Sequence, residues 1–461
     1  MNGPESPGTS APEPSGAAAP DAAVADAAGP YAAGADAIDA VIDALAQRLA
    51  DPARTLVRGR DEPADRPSAA DSALNGGAGL ALLYAELGHH QREFRPVAHR
   101  YLALAGRSLP AATRHGLFAG APALAFAAVC AMHRDGEYAK LLGDLDASVH
   151  RAVRGHLDAE RARLRSGAVA RHYLRYDVVS GLAGLGRYLL RRCPASAESE
   201  SLLREILAYF GELVRPVEQG GRALPGWWSQ ERTPYDNDDG TGHANLGLAH
   251  GIPGPLALLA SSWRAGVRTS GQSETVEAIA AFLTEWSDAD EYGPYWPSSL
   301  NLRQYQRRSG PLPRARAAWC YGAPGVSRAL QLAGLALGRT DWTELARAAA
   351  RAVFRRPEPD LGLRDSCLCH GCAGLLHLTG RLAADDPHCG LGAETGRLAL
   401  RTAAAFDPEL PFGYRQFSNA QGAFHDDPGF LTGSAGVALA LHAYRNGPRP
   451  ASGWDSALLL D

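Results

Sequence analysis

Four of the seven cysteines fall within residues 367–389. The run Cys367-Leu-Cys-His-Gly-Cys-Ala-Gly374 sets soft thiol ligands beside an imidazole. Forty-nine residues before Cys369 (369 − 320), Cys320 sits in Trp319-Cys-Tyr-Gly-Ala-Pro-Gly325. Cys320 stands two before Gly322 and Cys369 two before Gly371, so both occupy the same slot of a shared cassette. With His370 they make a Cys₂His donor set. Three protein ligands with a fourth position open is the catalytic form of tetrahedral zinc. Two thiolates offset the charge of the ion. A third thiolate, from a substrate, would stay deprotonated and electron-rich near neutral pH, whereas a free thiol has a pKa of about 8.5.

Each of these residues also has a plainer reading. A single cysteine such as Cys320 is commonly a small buried hydrophobe. Cys369 and Cys372 also spell C-x-x-C, a redox or structural pair. Register favours Cys369, which shares its slot with Cys320, and leaves Cys367 and Cys372 to packing. His250, in Leu-Ala-His-Gly-Ile-Pro-Gly, shares the slot of His370 and Tyr321, directly before the first glycine. That position suits acid–base work, although a lone histidine is often structural. Asp177, in Tyr-Asp-Val-Val-Ser-Gly, reads equally well as a helix cap. Arg316, four before Cys320, reads on its own as a solvated arginine of the Arg314-Ala-Arg316 run.

These residues lie far apart in the chain, so a repeat must bring them together. Gly-x-x-Gly followed by a small apolar run occurs at Gly76, Gly181, Gly251, Gly322, Gly371 and Gly433, with a degenerate copy at Gly120 where Ala123 replaces the second glycine. The first-glycine spacings are 44, 61, 70, 71, 49 and 62. Each interval leaves room for two helices and loops of uneven length, and such a repeat is the mark of a stacked or closed helical array. Leu202, Leu203, Ile206, Leu207, Phe210, Leu213 and Val214 form one apolar stripe at helical spacing, as expected of an outer amphipathic helix. Asp341 and Glu344 read as a capping box opening another. Runs such as Gly433-Ser-Ala-Gly-Val-Ala-Leu-Ala-Leu are apolar on all faces, as expected of buried inner helices. If seven such pairs close into a ring, the slot before each first glycine meets at one rim. That slot carries Asn75, Ala119, Ser180, His250, Tyr321, His370 and Thr432.

The 461 residues, 46% hydrophobic and 21% charged, suit a large globular body. A net charge of −4 with a pI near 6.4 speaks against nucleic acid or an anionic membrane as partner. An odd number of clustered cysteines points to a reducing compartment rather than a disulfide framework. Residues 1–36 are rich in Ala, Pro and Gly, with no Lys or Arg, and are expected to be a disordered tail. They lack the basic start and apolar run of a signal peptide. The longest apolar stretch, Gly116 to Met132, is broken by Pro122 and too weak for a membrane span. A cytoplasmic protein is expected. Its all-α domain would run over 37–446, with a C-terminal tail at 447–461.

At these motifs the chain resembles the lanthionine synthetase C family, the lantibiotic cyclases. The matching pieces are Tyr176-Asp-Val-Val-Ser-Gly-Leu-Ala-Gly, Leu248-Ala-His-Gly-Ile-Pro-Gly-Pro, Trp319-Cys-Tyr-Gly-Ala-Pro-Gly, Cys369-His-Gly-Cys-Ala-Gly and Leu431-Thr-Gly-Ser-Ala-Gly, spread over roughly residues 38–446. The resemblance implies an α/α toroid of seven inner and seven outer helices with one Zn²⁺. It implies zinc ligands Cys320, Cys369 and His370, with His250, Asp177, Arg316 and Tyr321 in the active site. The implied reaction adds peptide cysteine thiols to dehydroalanine or dehydrobutyrine, closing (methyl)lanthionine rings. The implied partners are a dehydrated precursor peptide, a separate dehydratase, since the chain shows no kinase-like motif, and a transporter for export. Repeat two departs from the pattern at Pro122 and Ala123.

Two long loops, Gln219 to Asn245 with Trp227, Trp228 and acidic Asp236, Asp238 and Asp239, and Glu291 to Arg316 with Tyr292, Tyr295, Trp296 and Tyr305, are candidates for the peptide-binding surface. Two other readings stay open. One is another α/α-toroid zinc transferase that activates a thiol, such as a protein prenyltransferase. The other is a non-catalytic LanC-like protein that binds a peptide or thiol.

Overall fold

The computed structural model describes residues 28–56, 73–112, 115–231, 241–307, 311–418 and 422–461. Fourteen long helices among these residues alternate between two layers. The outer layer comprises α1 (Ala28–Arg48), α3 (Arg95–Ser108), α5 (Ala139–Arg165), α7 (Ala197–Leu213), α9 (Gln272–Glu285), α11 (Thr340–Arg355) and α13 (Gly392–Ala404). The inner layer comprises α2 (Gly77–His90), α4 (Gly120–Cys130), α6 (Leu182–Arg192), α8 (Pro253–Arg264), α10 (Ala323–Leu337), α12 (Cys372–Asp385) and α14 (Ser434–Asn446). Each inner helix packs on the next, and α14 packs back on α2. The fold is therefore a closed α/α toroid, with one cassette at the head of each inner helix.

The inner helices are apolar because they are enclosed on every side. From Ser434 to Ala443, α14 is buried throughout. The outer helices bury one face, as the stripe from Leu202 to Leu213 on α7 does. Helix α7 is capped by Ser196, whose side chain accepts the Ser199 N–H. The capping box expected at α11 is absent. Asp341 lies inside the helix and takes a bidentate pair from Arg339, at 2.7 and 3.0 Å, so its carboxylate is engaged there instead. In repeat two, Pro122 falls in the first turn of α4, where a missing N–H costs little, and the inner helix forms normally.

The second glycine of each cassette permits close approach. A Cβ at Gly374 would stand 1.9 Å from the Leu368 carbonyl oxygen, and one at Gly436 would stand 1.9 Å from that of Phe430. The loops before the helices are joined by backbone hydrogen bonds that run around the rim. Leu74 N–H donates to Phe118 O (3.0 Å), Phe118 to Val179 O (3.2 Å) and Val178 to Ala249 O (3.0 Å). Ala249 donates to Cys320 O (3.3 Å), Cys320 to Cys369 O (3.3 Å) and Cys369 to Leu431 O (2.9 Å). The Leu431 N–H closes the circle on Asn75 Oδ1 at 3.1 Å. Slot equivalence along the sequence is thus adjacency in space.

Short antiparallel pairs decorate the loops: β1 (Val217–Gln219) with β2 (Arg222–Leu224), β3 (His243–Asn245) with β6 (Ser299–Asn301), β4 (Asp288–Asp290) with β5 (Gly293–Tyr295), and β7 (Arg415–Ser418) with β8 (Ala423–Asp426). Of the tail expected at 1–36, residues 1–27 lie outside the described residues, and α1 already begins at Ala28. The segment 447–461, expected as a tail, is instead packed into the ring. Trp454 and Leu458 to Leu460 are buried. Trp319 Nε1 donates to Leu458 O at 2.9 Å, Arg328 and Arg381 reach Leu460 O, and Arg187 pairs with Asp461. His377 meets Asp455 at 3.0 Å. Among the described residues no helix is long and apolar enough to cross a membrane.

Candidate metal centre and active site

Cys320, Cys369 and His370 come from the loops heading α10 and α12. The Cys320 N–H to Cys369 O bond holds these loops side by side. One ligand atom from each residue lies within 4.8 Å of the other two. Gly322, with φ of 90°, sits in the left-handed region that glycine tolerates and turns the chain from Cys320 into α10. The Cys369 thiol hydrogen-bonds the Cys320 sulfur. That bond, working against burial and helped by His370 and Arg316, holds the Cys320 thiol well below its ordinary range. One sulfur of the pair is therefore ready to be a thiolate, the form that binds metal.

A second donor group, Asp365, Cys367 and His370, shares the histidine. Its other members also shape the loop. Asp365 Oδ1 accepts the Cys367 N–H at 2.9 Å, and Oδ2 accepts the Phe417 N–H at 3.0 Å. Cys367 is fully buried, its sulfur accepts the His370 N–H at 3.4 Å, and burial pushes its thiol well up. Cys372 opens α12 and is buried, as the packing role expected for it requires. The donor set that fits zinc is Cys320, Cys369 and His370: soft, compact, and reached from solvent beside the part-exposed His370.

His250 and Asp177 come from the neighbouring loops ahead of α8 and α6. His250 Nδ1 and Asp177 Oδ2 are 2.7 Å apart. Asp177 is fully buried and its other oxygen accepts the Ser180 N–H at 2.8 Å. Burial alone would push the His250 imidazole down. The hydrogen bond and charge of Asp177, with a smaller contribution from Cys320, outweigh it and raise His250 above its ordinary value. The ring keeps Nε2 for other work and lies tilted against Tyr173 (centroids 4.9 Å) and Tyr321 (6.4 Å). The Arg316 guanidinium is half-buried, and its charge favours thiolate at both Cys320 and Cys369. Tyr321 Oη accepts a hydrogen bond from Asn245 Nδ2 at 3.2 Å.

Three residues went unnoticed in the sequence: Asn245, Asp365 and Tyr173. A signal for the first two was present. Asn245, Asp365 and Asp427 each stand six before a first glycine and accept the N–H two residues on, at 2.9, 2.9 and 2.7 Å. Arg316 fills that same slot in repeat five. The tryptophans of the two candidate peptide-binding loops face inward. Trp228 and Trp296 are fully buried, Trp227 nearly so, and Trp296 Nε1 donates to Leu283 O at 2.7 Å. These rings pin the loops to the body because their large apolar faces gain more from the core than from solvent. Asp236, Asp238 and Asp239 lie outside the described residues.

A closed α/α toroid that carries a Cys₂His cluster and a His–Asp pair on one rim defines the class of helical ring to which the fold belongs. The profile of one family, described as lanthionine synthetase C-like protein, matches residues 67–459. The chain belongs to that family. It is similar to the nisin biosynthesis protein NisC of Lactococcus lactis subsp. lactis, at 24% identity over 267 residues, 57% of this chain and 60% of that protein. The match thus spans less than two thirds of that relative. A solved structure titled nisin cyclase superposes with a TM-score of 0.70 at 22% identity, covering 86% of this chain and 93% of that one. That likeness is one of fold.

Proposed function

We propose that this protein is a lanthionine-forming cyclase that closes thioether rings in a dehydrated precursor peptide. The observation that carries the reading is the meeting, on one rim, of a Cys₂His cluster with a buried-carboxylate histidine, from four consecutive repeats of a LanC-like chain. Cys320, Cys369 and His370 would hold Zn²⁺. A zinc ion there supplies a Lewis acid that keeps a peptide thiol deprotonated near neutral pH.

The chain's own residues then handle protons and position. Asp177, anchored by the Ser180 N–H, fixes the His250 ring through Nδ1 and stabilises its protonated form. His250 Nε2 takes the proton released by the incoming thiol. Sulfur bonds to the β-carbon of the dehydro residue, the π electrons move to the α-carbon and its carbonyl, and His250 returns a proton to the α-carbon. Atoms and charge balance without an external reagent. Arg316 biases the sulfurs toward thiolate, and Tyr321, held by Asn245, borders the space beside His250. A separate dehydratase supplies the dehydro residues, an exporter removes the product, and the cytoplasm is the proposed place of reaction.

The test is to incubate the protein with a dehydrated precursor peptide, alkylate remaining thiols and count them by mass spectrometry. Loss of one alkylation per ring with unchanged peptide mass is expected, and chelator-treated protein should lose the activity until zinc is restored. Unchanged thiol counts with folded, zinc-loaded protein would remove the cyclase reading.

A further inference from the structure

At the opposite end of the barrel, Glu86 and His90 lie one turn apart on α2 and face His442 on α14. The cassettes head the N-terminal ends of these helices, whereas His90 is the last residue of the 14-residue α2, about 20 Å further along. Glu86 is almost fully buried. Its Oε1 accepts the Ala451 N–H at 3.1 Å and its Oε2 the Ser452 N–H at 2.8 Å, so the carboxylate also fastens the segment that packs into the ring. Two imidazoles converge on the same Oε1. His90 Nε2 stands 3.5 Å from it and His442 Nδ1 3.8 Å. The rings meet edge to face, with centroids 4.7 Å apart.

Two features set this cluster apart from an ordinary ion pair. His442 is 5% exposed, yet its Nδ1 has no hydrogen-bond partner while aimed at the cluster. A buried nitrogen of this kind is costly unless something binds it. All three donor atoms lie within 4.8 Å of one another. Ligands on a tetrahedral ion with bonds near 2.0–2.2 Å are separated by about 3.3 Å, so small side-chain shifts would close the set. Two imidazoles and one carboxylate suit Zn²⁺, Co²⁺ or Ni²⁺ rather than Mg²⁺ or Ca²⁺.

We propose that Glu86, His90 and His442 form a second metal site, for a zinc-class divalent ion, which clamps the first inner helix to the last and secures the seam of the ring. The site is independent of the Cys320–Cys369–His370 centre and of the cyclase reading.

The test starts from the double variant Cys320→Ala/Cys369→Ala, stripped of metal and titrated with Zn²⁺ or Co²⁺ by calorimetry and thermal unfolding. One equivalent should bind, and the midpoint should rise by about 3 °C at a hundredfold excess over Kd. Adding His90→Ala, whose side chain is one-third exposed and tolerates truncation, should abolish both effects. Adding His442→Asn instead should do the same. In the otherwise unaltered chain, His90→Ala should lower zinc content by one equivalent and leave cyclisation unchanged. Absence of binding in the double variant, or binding that survives both histidine substitutions, would overturn the proposal. A parent protein with one zinc that His90→Ala removes and Cys320→Ala/Cys369→Ala does not would retain this site and count against the thiol centre.

Discussion

The arc of the rim from repeat three to repeat six and the arc from repeat seven through repeats one and two share one backbone scheme. Each cassette heads an inner helix, and each loop bonds to its neighbour's carbonyl or, at the seam, to Asn75. Their polar side chains are used in opposite ways. At the seam, Asn75 Oδ1 accepts the Leu431 and Thr432 N–H groups, Asn75 Nδ2 donates to Asp427, and Thr432 Oγ1 donates to the same carboxylate at 2.7 Å. These groups satisfy one another and shut the circle. Across the ring, the equivalent slots hold His250, Tyr321 and His370 with two adjacent thiols, and His250 and His370 remain part-exposed. The scaffold therefore sets where side chains meet, and residue type decides whether the meeting is a fastening or a reactive site.

Substitutions on the two arcs should separate cleanly. The largest effect is expected for Cys320→Ala, which should remove the rim metal by elemental analysis and reduce cyclisation to background while the circular dichroism of the fold persists. His250→Ala should keep that metal and slow ring closure by about 10²–10⁴-fold in single-turnover assays. Full activity in either variant would break the division between the arcs.

Asp177→Asn is expected to act less severely and mainly through pH. Asp177 raises the His250 value, so the His250-dependent limb of the pH–rate profile should move to lower pH in the variant. The same linkage acts on stability. Because His250 is protonated more readily folded than unfolded, its pairing with Asp177 contributes fully below the ordinary value of 6.5 and fades as pH rises through the raised one. Thermal unfolding of wild type against Asp177→Asn across this window measures it, and a difference that grows with pH would contradict the assigned pair. At the seam, Asn75→Ala should cost about 1–3 kcal/mol of stability by denaturant unfolding and leave the cyclisation rate per folded molecule unchanged.

Much of this arrangement was legible from residue order. The glycine cassettes marked the heads of all seven inner helices, and their slots brought Cys320 to Cys369 and His250 into register with His370. Side chains whose role depends on the far side of the ring were not legible. Glu86 and His442 are 356 residues apart and carry no cassette register, so only closure of the ring makes them neighbours. The segment 447–461 looked like a tail because its short apolar run has no repeat, whereas its partners Trp319, Arg328 and Arg381 lie on distant inner elements. Trp296 misled for a related reason. Loop position suggested exposure, but the ring is held in the core by the Leu283 carbonyl.

The most direct measurement is an anomalous difference map from crystals of the zinc-loaded protein, recorded on both sides of the zinc edge. A peak is expected about 2.3 Å from the Cys320 and Cys369 sulfurs and about 2.0–2.1 Å from a His370 nitrogen. A map with no density among those three atoms, or with density only beside Asp365 and Cys367, would contradict the metal centre on which the proposed cyclase rests.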